Sequence, residues 1–173
     1  RWTQDDYHGL AAIFARVRTG RVIELSTTGE VSHPRTGVAA IPRIPAMHFL
    51  DPSSETDARI DFADWLTSPG NSYFARATVN RLWQAVMGRG LVEPLDDLSE
   101  TNLPTHPKLL QYLADEFVEH GYDIRMTLRT ICLTEAFARS SVPVPGNAAD
   151  HEFLSHGIRT PLPAEVLADA IAD

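Results

Sequence analysis

Five polar residues in one stretch, Asn80, Arg81, Asp96, Asp97 and His106, carry side chains that are chemically useful if the fold brings them together. Two adjacent carboxylates, a guanidinium and an imidazole can bind a metal, transfer a proton or hold an anion. The same groups equally well form a structural salt-bridge network. No second histidine stands three or four residues from His106, so the spacing of a zinc motif is missing and no metal is expected. The other histidines, His8, His33, His48, His120, His151 and His156, are scattered, and His151 and His156, five apart, would not share a helix face. Surface or loop roles are expected for these six. The chain has no serine-hydrolase elbow, phosphate loop or dinucleotide fingerprint. Gly88-Arg89-Gly90 is too short for a phosphate cradle and reads as a helix stop followed by a turn.

The elements that would position these residues are two helices and the segment between them. In "FARATVNRLWQAVMGRGLVEP", residues 74–94, Ala75, Val79, Leu82, Trp83 and Val86 share one broad face, and Arg76, Asn80 and Gln84 form the opposite wedge. Arg81 falls on the boundary, where a half-buried guanidinium needs a partner; Asp96 and Asp97 are the nearest carboxylates in sequence. This helix is expected to start near Asn71 or Ser72. "THPKLLQYLADEFVEHG" predicts the second helix, with Thr105 as cap, Pro107 in the first turn and Gly121 just past the end. If the two pack as neighbours, the intervening segment carries both carboxylates toward Arg81 and His106.

The rest of the chain reads as mainly α. Thr3 is a plausible cap for a helix whose apolar residues Tyr7, Leu10, Ala11, Phe14 and Val17 recur at helical spacing until Gly20. Residues 21–45 change to short apolar or alternating runs broken by prolines and glycines, which predicts a small antiparallel β-hairpin or meander. A helix is expected over Asp57–Leu66, another after the cap Asp123 through "IRMTLRTICLTEAFARS", and a last one at "PAEVLADAIAD". The expected organisation is the tail of a preceding domain over residues 1–50, then a helical domain of about five helices over 51–173, cut short at its C-terminus.

Composition narrows the function classes. With 173 residues, 43% of them apolar and 22% charged, the chain can bury a core. A formal charge of −8 and only one lysine, Lys108, argue against nucleic-acid binding, which rests on clustered cations. The preference for arginine reads first as a mark of a GC-rich genome. Cys132 is the single cysteine, so no internal disulfide is available, and its apolar context predicts a buried core residue. Trp2, Trp65 and Trp83 are likewise expected to be buried rather than to form sugar platforms. No run approaches the roughly 20 apolar residues of a membrane span. A start at Arg1 and a stop in mid-helix pattern read as an excised piece of something longer.

The motifs "FADWLTSPGNSYFARATVNRLWQAVMGRGLVEPLDDL", "PTHPKLLQYLADEF" and "DIRMTLRTICLTEAFARSS" together resemble the planctomycete cytochrome c-associated PSD1 family, the domain of unknown function 1553. The match covers roughly residues 57–141, and "RTPLPAEVLADAI" resembles the start of a later family segment. "RWTQDDYHGLAAIFA" resembles the tail of the domain of unknown function 1549, which usually comes before it. The sequence departs from the family where "DDLSETN" replaces a glycine-containing "DDFG" and Phe137 replaces a tyrosine. The resemblance implies an exported parent, periplasmic or at the cell surface, with other domains of the same polypeptide as partners and polysaccharide as a further candidate. It implies haem in a Cys/His segment of the parent and no cofactor in this fragment. It brings no reaction. The expected function is a non-catalytic structural or interaction domain; the alternative is a carbohydrate-related or metal-dependent catalytic domain using Asp96, Asp97 and His106, with Arg81 gripping an anionic substrate.

Overall fold

The structure, a computed structural model, describes residues 3–44, 50 and 57–172. Trp2 and His48 lie outside the described residues. The chain forms two units, Arg1–Ser68 and Pro69–Asp173.

The first unit opens with α1, Gln4–Ile13. Its start is a capping box: the Asp6 N–H donates to the Thr3 hydroxyl at 3.2 Å and the Thr3 N–H donates to the Asp6 carboxylate at 2.9 Å. The Thr3 backbone bond, its hydroxyl and then Arg43 hold the Asp6 carboxyl below its ordinary range. The face that α1 buries is Gly9, Ala12 and Ile13. Tyr7, on the face that apolar spacing selects, is 67% exposed. Gly9 decides this, because a Cβ there would sit 2.7 Å from the Cβ of Arg43, whose N–H bonds the Gly9 carbonyl at 3.0 Å. Backbone approach at a glycine, invisible to a hydropathy pattern, sets the buried side.

The expected run to Gly20 is also corrected. The helix stops at Ile13, and β1, Val17–Thr19, pairs antiparallel with β2, Ile23–Leu25, in the register Val17↔Leu25, Arg18↔Glu24, Thr19↔Ile23. Val17 and Thr19 are β-branched and the Arg18–Glu24 pair is charge-complementary, so the short ladder wins over another helical turn. One further bridge joins Ser32 to Ala39. The second helix, α2, spans Ala58–Leu66 with Asp57 as cap, accepting the Arg59 N–H at 3.0 Å. The Arg59 side chain, bonded to the same carboxylate, brings the Asp57 carboxyl down to about 2. Phe14 of the first unit meets Phe62 of α2 edge-on at 5.7 Å between ring centres.

The second unit is built on α3 (Ser72–Met87), α4 (Pro107–Glu119) and α5 (Ile124–Cys132), with α6 (Ala164–Ala172) later in the chain. Asn71 caps α3 by accepting the N–H groups of Tyr73 and Phe74. Gly88, at φ 82°, ends it in the left-handed conformation that glycine adopts without strain. The end of α4 is a Schellman motif: the Tyr122 N–H reaches the Phe117 carbonyl at 2.8 Å and the Gly121 N–H reaches Val118 at 3.0 Å. The Tyr122 and Phe117 rings close that corner edge-to-face at 5.3 Å. Val79 and Trp83 of α3, Leu110, Leu113 and Phe117 of α4 and Ile131 of α5 form the core, joined by Leu91 and Val92 from the connection after α3.

Three local expectations are revised here. The residue at the cap position of α4 is His106, whose side chain makes no capping bond, while the Thr105 hydroxyl bonds the Leu91 carbonyl at 3.2 Å. The helix α5 ends at Cys132 because the Thr134 hydroxyl donates to the Ile131 carbonyl at 2.7 Å and accepts the Phe137 N–H, competing with the helical ladder. Cys132 is exposed, not buried: α5 turns Thr127 and Ile131 into the core and the neighbouring cysteine outward. Trp83, by contrast, is completely buried, as its spacing predicts. Trp83→Ala should therefore lower unfolding free energy by about 3–5 kcal/mol, read as a shift in urea midpoint at unchanged slope.

Candidate functional site

The five polar residues singled out from sequence do not gather in one place. Arg81 is ion-paired with Asp96, and both side chains are largely exposed, at 59% and 77%. Asn80 lies fully inside the core instead of on the polar wedge opposite it. Its Nδ2 donates to the Val92 carbonyl at 3.0 Å and its Oδ1 accepts the Val92 N–H at 3.0 Å. The amide thus serves as a surrogate strand for one peptide of the connection, which no periodicity argument reveals. Gly90 sits beneath it: a Cβ there would come 2.6 Å from the Val92 carbonyl and 3.1 Å from Asn80 Oδ1.

Asp97 and His106 turn to their own neighbours. Asp97 accepts the Ser99 N–H at 3.2 Å, and its carbonyl accepts Asn102 Nδ2 at 2.8 Å. The same Asn102 amide donates to the Glu93 carbonyl at 3.1 Å. His106 bonds the Thr105 hydroxyl through Nδ1 at 3.1 Å and presents its ring edge-to-face to Phe153 at 6.0 Å. Among the described residues no hydrogen bond or ion pair links Asp97 or His106 to Arg81. Nor does any group of three or more His, Cys, Asp or Glu side chains among them converge as a metal site would require.

The connection instead forms one wall of an open cleft of about 660 Å³, whose other wall is the loop after α5. Arg89 and Glu93 line it from the first wall, and Ser141, His151, His156 and Arg159 from the second. The walls meet at Gly88, where a Cβ would come 2.7 Å from Thr160 Cγ2 and 3.3 Å from Ile158 Cγ2. Glycine at that corner therefore answers both to helix termination and to this close approach.

The loop is held from within. Asp150 accepts three backbone N–H groups, from Glu152 at 2.9 Å, Phe153 at 2.8 Å and Ser155 at 2.9 Å. These bonds, that from Phe153 first, keep its carboxyl well below the usual carboxylate range. Asn147 accepts the Val144 N–H at 2.8 Å and donates to the Ser155 carbonyl at 3.2 Å. Leu154 is buried at φ 57°, a left-handed conformation costing a leucine about 1–3 kcal/mol, and Arg139 donates to its carbonyl. The result brings His151 and His156 edge-to-face at 6.5 Å. Their spacing of five would separate them on a helix, but this segment is a turn. Arg89, Ser141 and Arg159 had no motif to announce them; Gly88-Arg89-Gly90 and Gly157-Ile158-Arg159, two arginines beside tight glycines, were the available signal.

A core of three helices, a connection clamped from within the core and a cleft beside it define a mainly helical domain with no metal- or cysteine-based catalytic centre among its described residues. No described helix is long and apolar enough to cross a membrane. The family model for PSD1, protein of unknown function (DUF1553), matches residues 58–172, and the chain belongs to that family. Neither a curated protein nor a solved structure matches it.

Two expected outcomes test this geometry. Asn80→Leu leaves the Val92 N–H and carbonyl buried without partners, a loss of about 1–3 kcal/mol for each group, with faster amide exchange at Val92; Arg81→Ala should change stability by no more than about 1 kcal/mol. Equal losses in the two variants would contradict the assignment of the clamp to Asn80. For Asp150, a folded pKa below the unfolded one means its contribution is complete above the unfolded value near 3.8 and is lost as pH falls through the lower folded value. Urea titrations from pH 5 downward should show stability falling below about pH 4, with a shallower fall in Asp150→Asn.

Proposed function

We propose that this is a non-catalytic structural or interaction domain of a larger exported, cytochrome c-associated protein, connected there to other domains of the same polypeptide. The observation that carries the reading is how the conspicuous polar residues are engaged. Asn80 is bonded to Val92, Asp97 to Ser99, Thr105 to Leu91 and His106 to Thr105. Side chains bonded in this way hold one connection in place, whereas general acid–base catalysis needs groups within hydrogen-bond reach of a common substrate atom. The open cleft beside the connection supplies a concave surface for a ligand or a neighbouring domain. Membership of the family supports the domain assignment, and the resemblance over residues 57–141 to the cytochrome c-associated domain supports the exported, haem-bearing setting.

The alternative is a carbohydrate-related or metal-dependent catalytic domain using Asp96, Asp97 and His106 on a polysaccharide. The two are separated by incubating the chain with neutral and sulfated polysaccharides, with and without calcium or zinc, and measuring new reducing ends. A parallel calorimetric titration uses the parent's cytochrome c domain. The expected result is saturable heat with the cytochrome domain and no reducing ends above buffer. Turnover that disappears in Asp97→Ala would overturn the proposal.

A further inference from the structure

We infer that the cleft between the Gly88–Glu93 corner and the Ser141–Arg159 loop binds a monoanionic compound that also bears hydroxyl groups, with its acid group on Arg89 and Arg159 and a hydroxyl on His156. This rests on the reading of the cleft as a binding surface and adds the chemical class of the occupant.

The charged side chains of the lining are Arg89, Glu93 and Arg159. Glu93 is turned to its own corner, where Oε1 accepts the Gly90 N–H at 2.6 Å. Among the described residues neither arginine has a carboxylate partner, although the chain carries 23 acidic residues and Arg43, Arg59 and Arg81 are all ion-paired. With both lining histidines neutral, two guanidinium groups against one carboxylate leave the cleft a surplus of one positive charge. A ligand of charge −1 neutralises that surplus. A zwitterion leaves it standing and a dianion reverses it, so charge complementarity selects a single carboxylate or a single sulfate ester. Either group presents the pair of oxygens that a guanidinium fork matches.

The acid group alone does not satisfy the wall. Arg89 Nε and His156 Nε2 are shielded from solvent, and neither has a hydrogen-bond partner. Buried polar atoms without partners are rare, and two of them belong to the lining of this one cleft. His156 Nδ1 lies 3.0 Å from the Gly157 carbonyl, which only accepts, so Nδ1 carries the proton and Nε2 of the neutral ring is an acceptor. Arg89 Nε therefore needs an acceptor and His156 Nε2 needs a donor. A carboxylate or sulfate ester supplies the acceptor, but it is fully ionised near neutral pH and has no proton to give. The donor is then a separate group on the same molecule. An ammonium would make the ligand a zwitterion and restore the unmatched charge, whereas a hydroxyl donates and adds none. Both side chains are half-buried, so a small turn of each brings the covered nitrogen to the cleft. About 660 Å³ is several times what a lone acid group fills and accommodates a molecule of sugar size.

The test is a titration of the full 173-residue chain at pH 8, followed by amide NMR shifts, with glucuronate, glucose 6-sulfate, glucose and cyclohexanecarboxylate as probes. Glucose lacks the acid group and cyclohexanecarboxylate lacks the hydroxyls. Saturable shifts are expected at Gly88–Glu93 and His151–Arg159 with glucuronate or glucose 6-sulfate, the tighter of the two identifying the acid group, and binding at least about tenfold weaker with each of the other probes. Arg89→Gln should weaken the acidic sugars about tenfold or more, while Arg125→Gln on α5 changes nothing. Should Arg89→Gln fail to fold, the exposed Arg159→Gln carries the same expectation. His156→Phe should bring the acidic sugar down to the level of cyclohexanecarboxylate and leave cyclohexanecarboxylate itself unchanged. Absence of saturable shifts with both acidic sugars, shifts centred elsewhere, glucose or cyclohexanecarboxylate binding as tightly as they do, or a loss in Arg125→Gln matching that in Arg89→Gln would overturn the inference. A chain that binds an acidic sugar here and also releases reducing ends through Asp97 keeps this inference and removes the non-catalytic reading; one that binds the cytochrome c domain but none of these probes does the reverse.

Discussion

The pair of hydrogen bonds between the Asn80 amide and the Val92 peptide is the contact on which the second unit depends. When α3 ends at Gly88 the chain does not leave for solvent; Leu91 and Val92 turn back into the core, 1% exposed each. Apolar side chains drive that return, but they take their peptide groups with them, and a buried N–H or carbonyl without a partner costs more than the side chain gains. Asn80 meets both backbone demands of Val92 from a position already inside α3. Thr105 meets that of the preceding residue, with its N–H at 2.8 Å and its hydroxyl both on the Leu91 carbonyl. The start of α4 is thereby tied to the connection, and α3, the connection and α4 behave as one piece.

That constraint explains why the residues most suggestive of catalysis are not gathered. Every polar group between residues 97 and 106 that bonds within the protein does so to complete the connection or its turns. Arg81 and Asp96 remain outside, paired across solvent, where ion pairs contribute little. Gly88 and Gly90 keep the corner narrow, so Arg89 is presented from a fixed backbone to the facing loop.

The facing loop achieves order by a different route. It has no regular secondary structure, so side chains supply what a ladder would: Asp150 gathers three N–H groups, Asn147 links Val144 to Ser155, and Arg139 holds the carbonyl of a left-handed Leu154. Burial of Leu154 against the core offsets its backbone strain and anchors the loop near the helices. The bonds to Asp150 need its carboxylate form, so the geometry of the loop and the protonation of this group are linked.

Much of the architecture was legible in the residues because it rests on local physics. The caps Thr3 and Asp123, the helix starts near Asp57 and Asn71, the glycine stops at Gly88 and Gly121, and the apolar face of α3 through Ala75, Val79 and Trp83 follow from hydrogen-bond chemistry and spacing within a few residues. The early end of α5 is a local competition at Thr134, but the other failures depend on a partner further off in sequence. Val17 leaves the helix because Leu25 offers a ladder, Gly9 becomes the buried face because Arg43 approaches, and Asn80 enters the core because Val92 needs a partner. His151 and His156 meet because a turn, not a helix, carries them, and Arg89 and Arg159 line one cleft because the loop after α5 folds back onto the end of α3. By itself the sequence determined the helices, the glycine stops of α3 and α4 and the family to which the chain belongs. Only the tertiary structure decided which polar side chains satisfy buried peptides and which line a cleft, because peptide satisfaction and charge proximity are properties of the packed chain and not of any window along it.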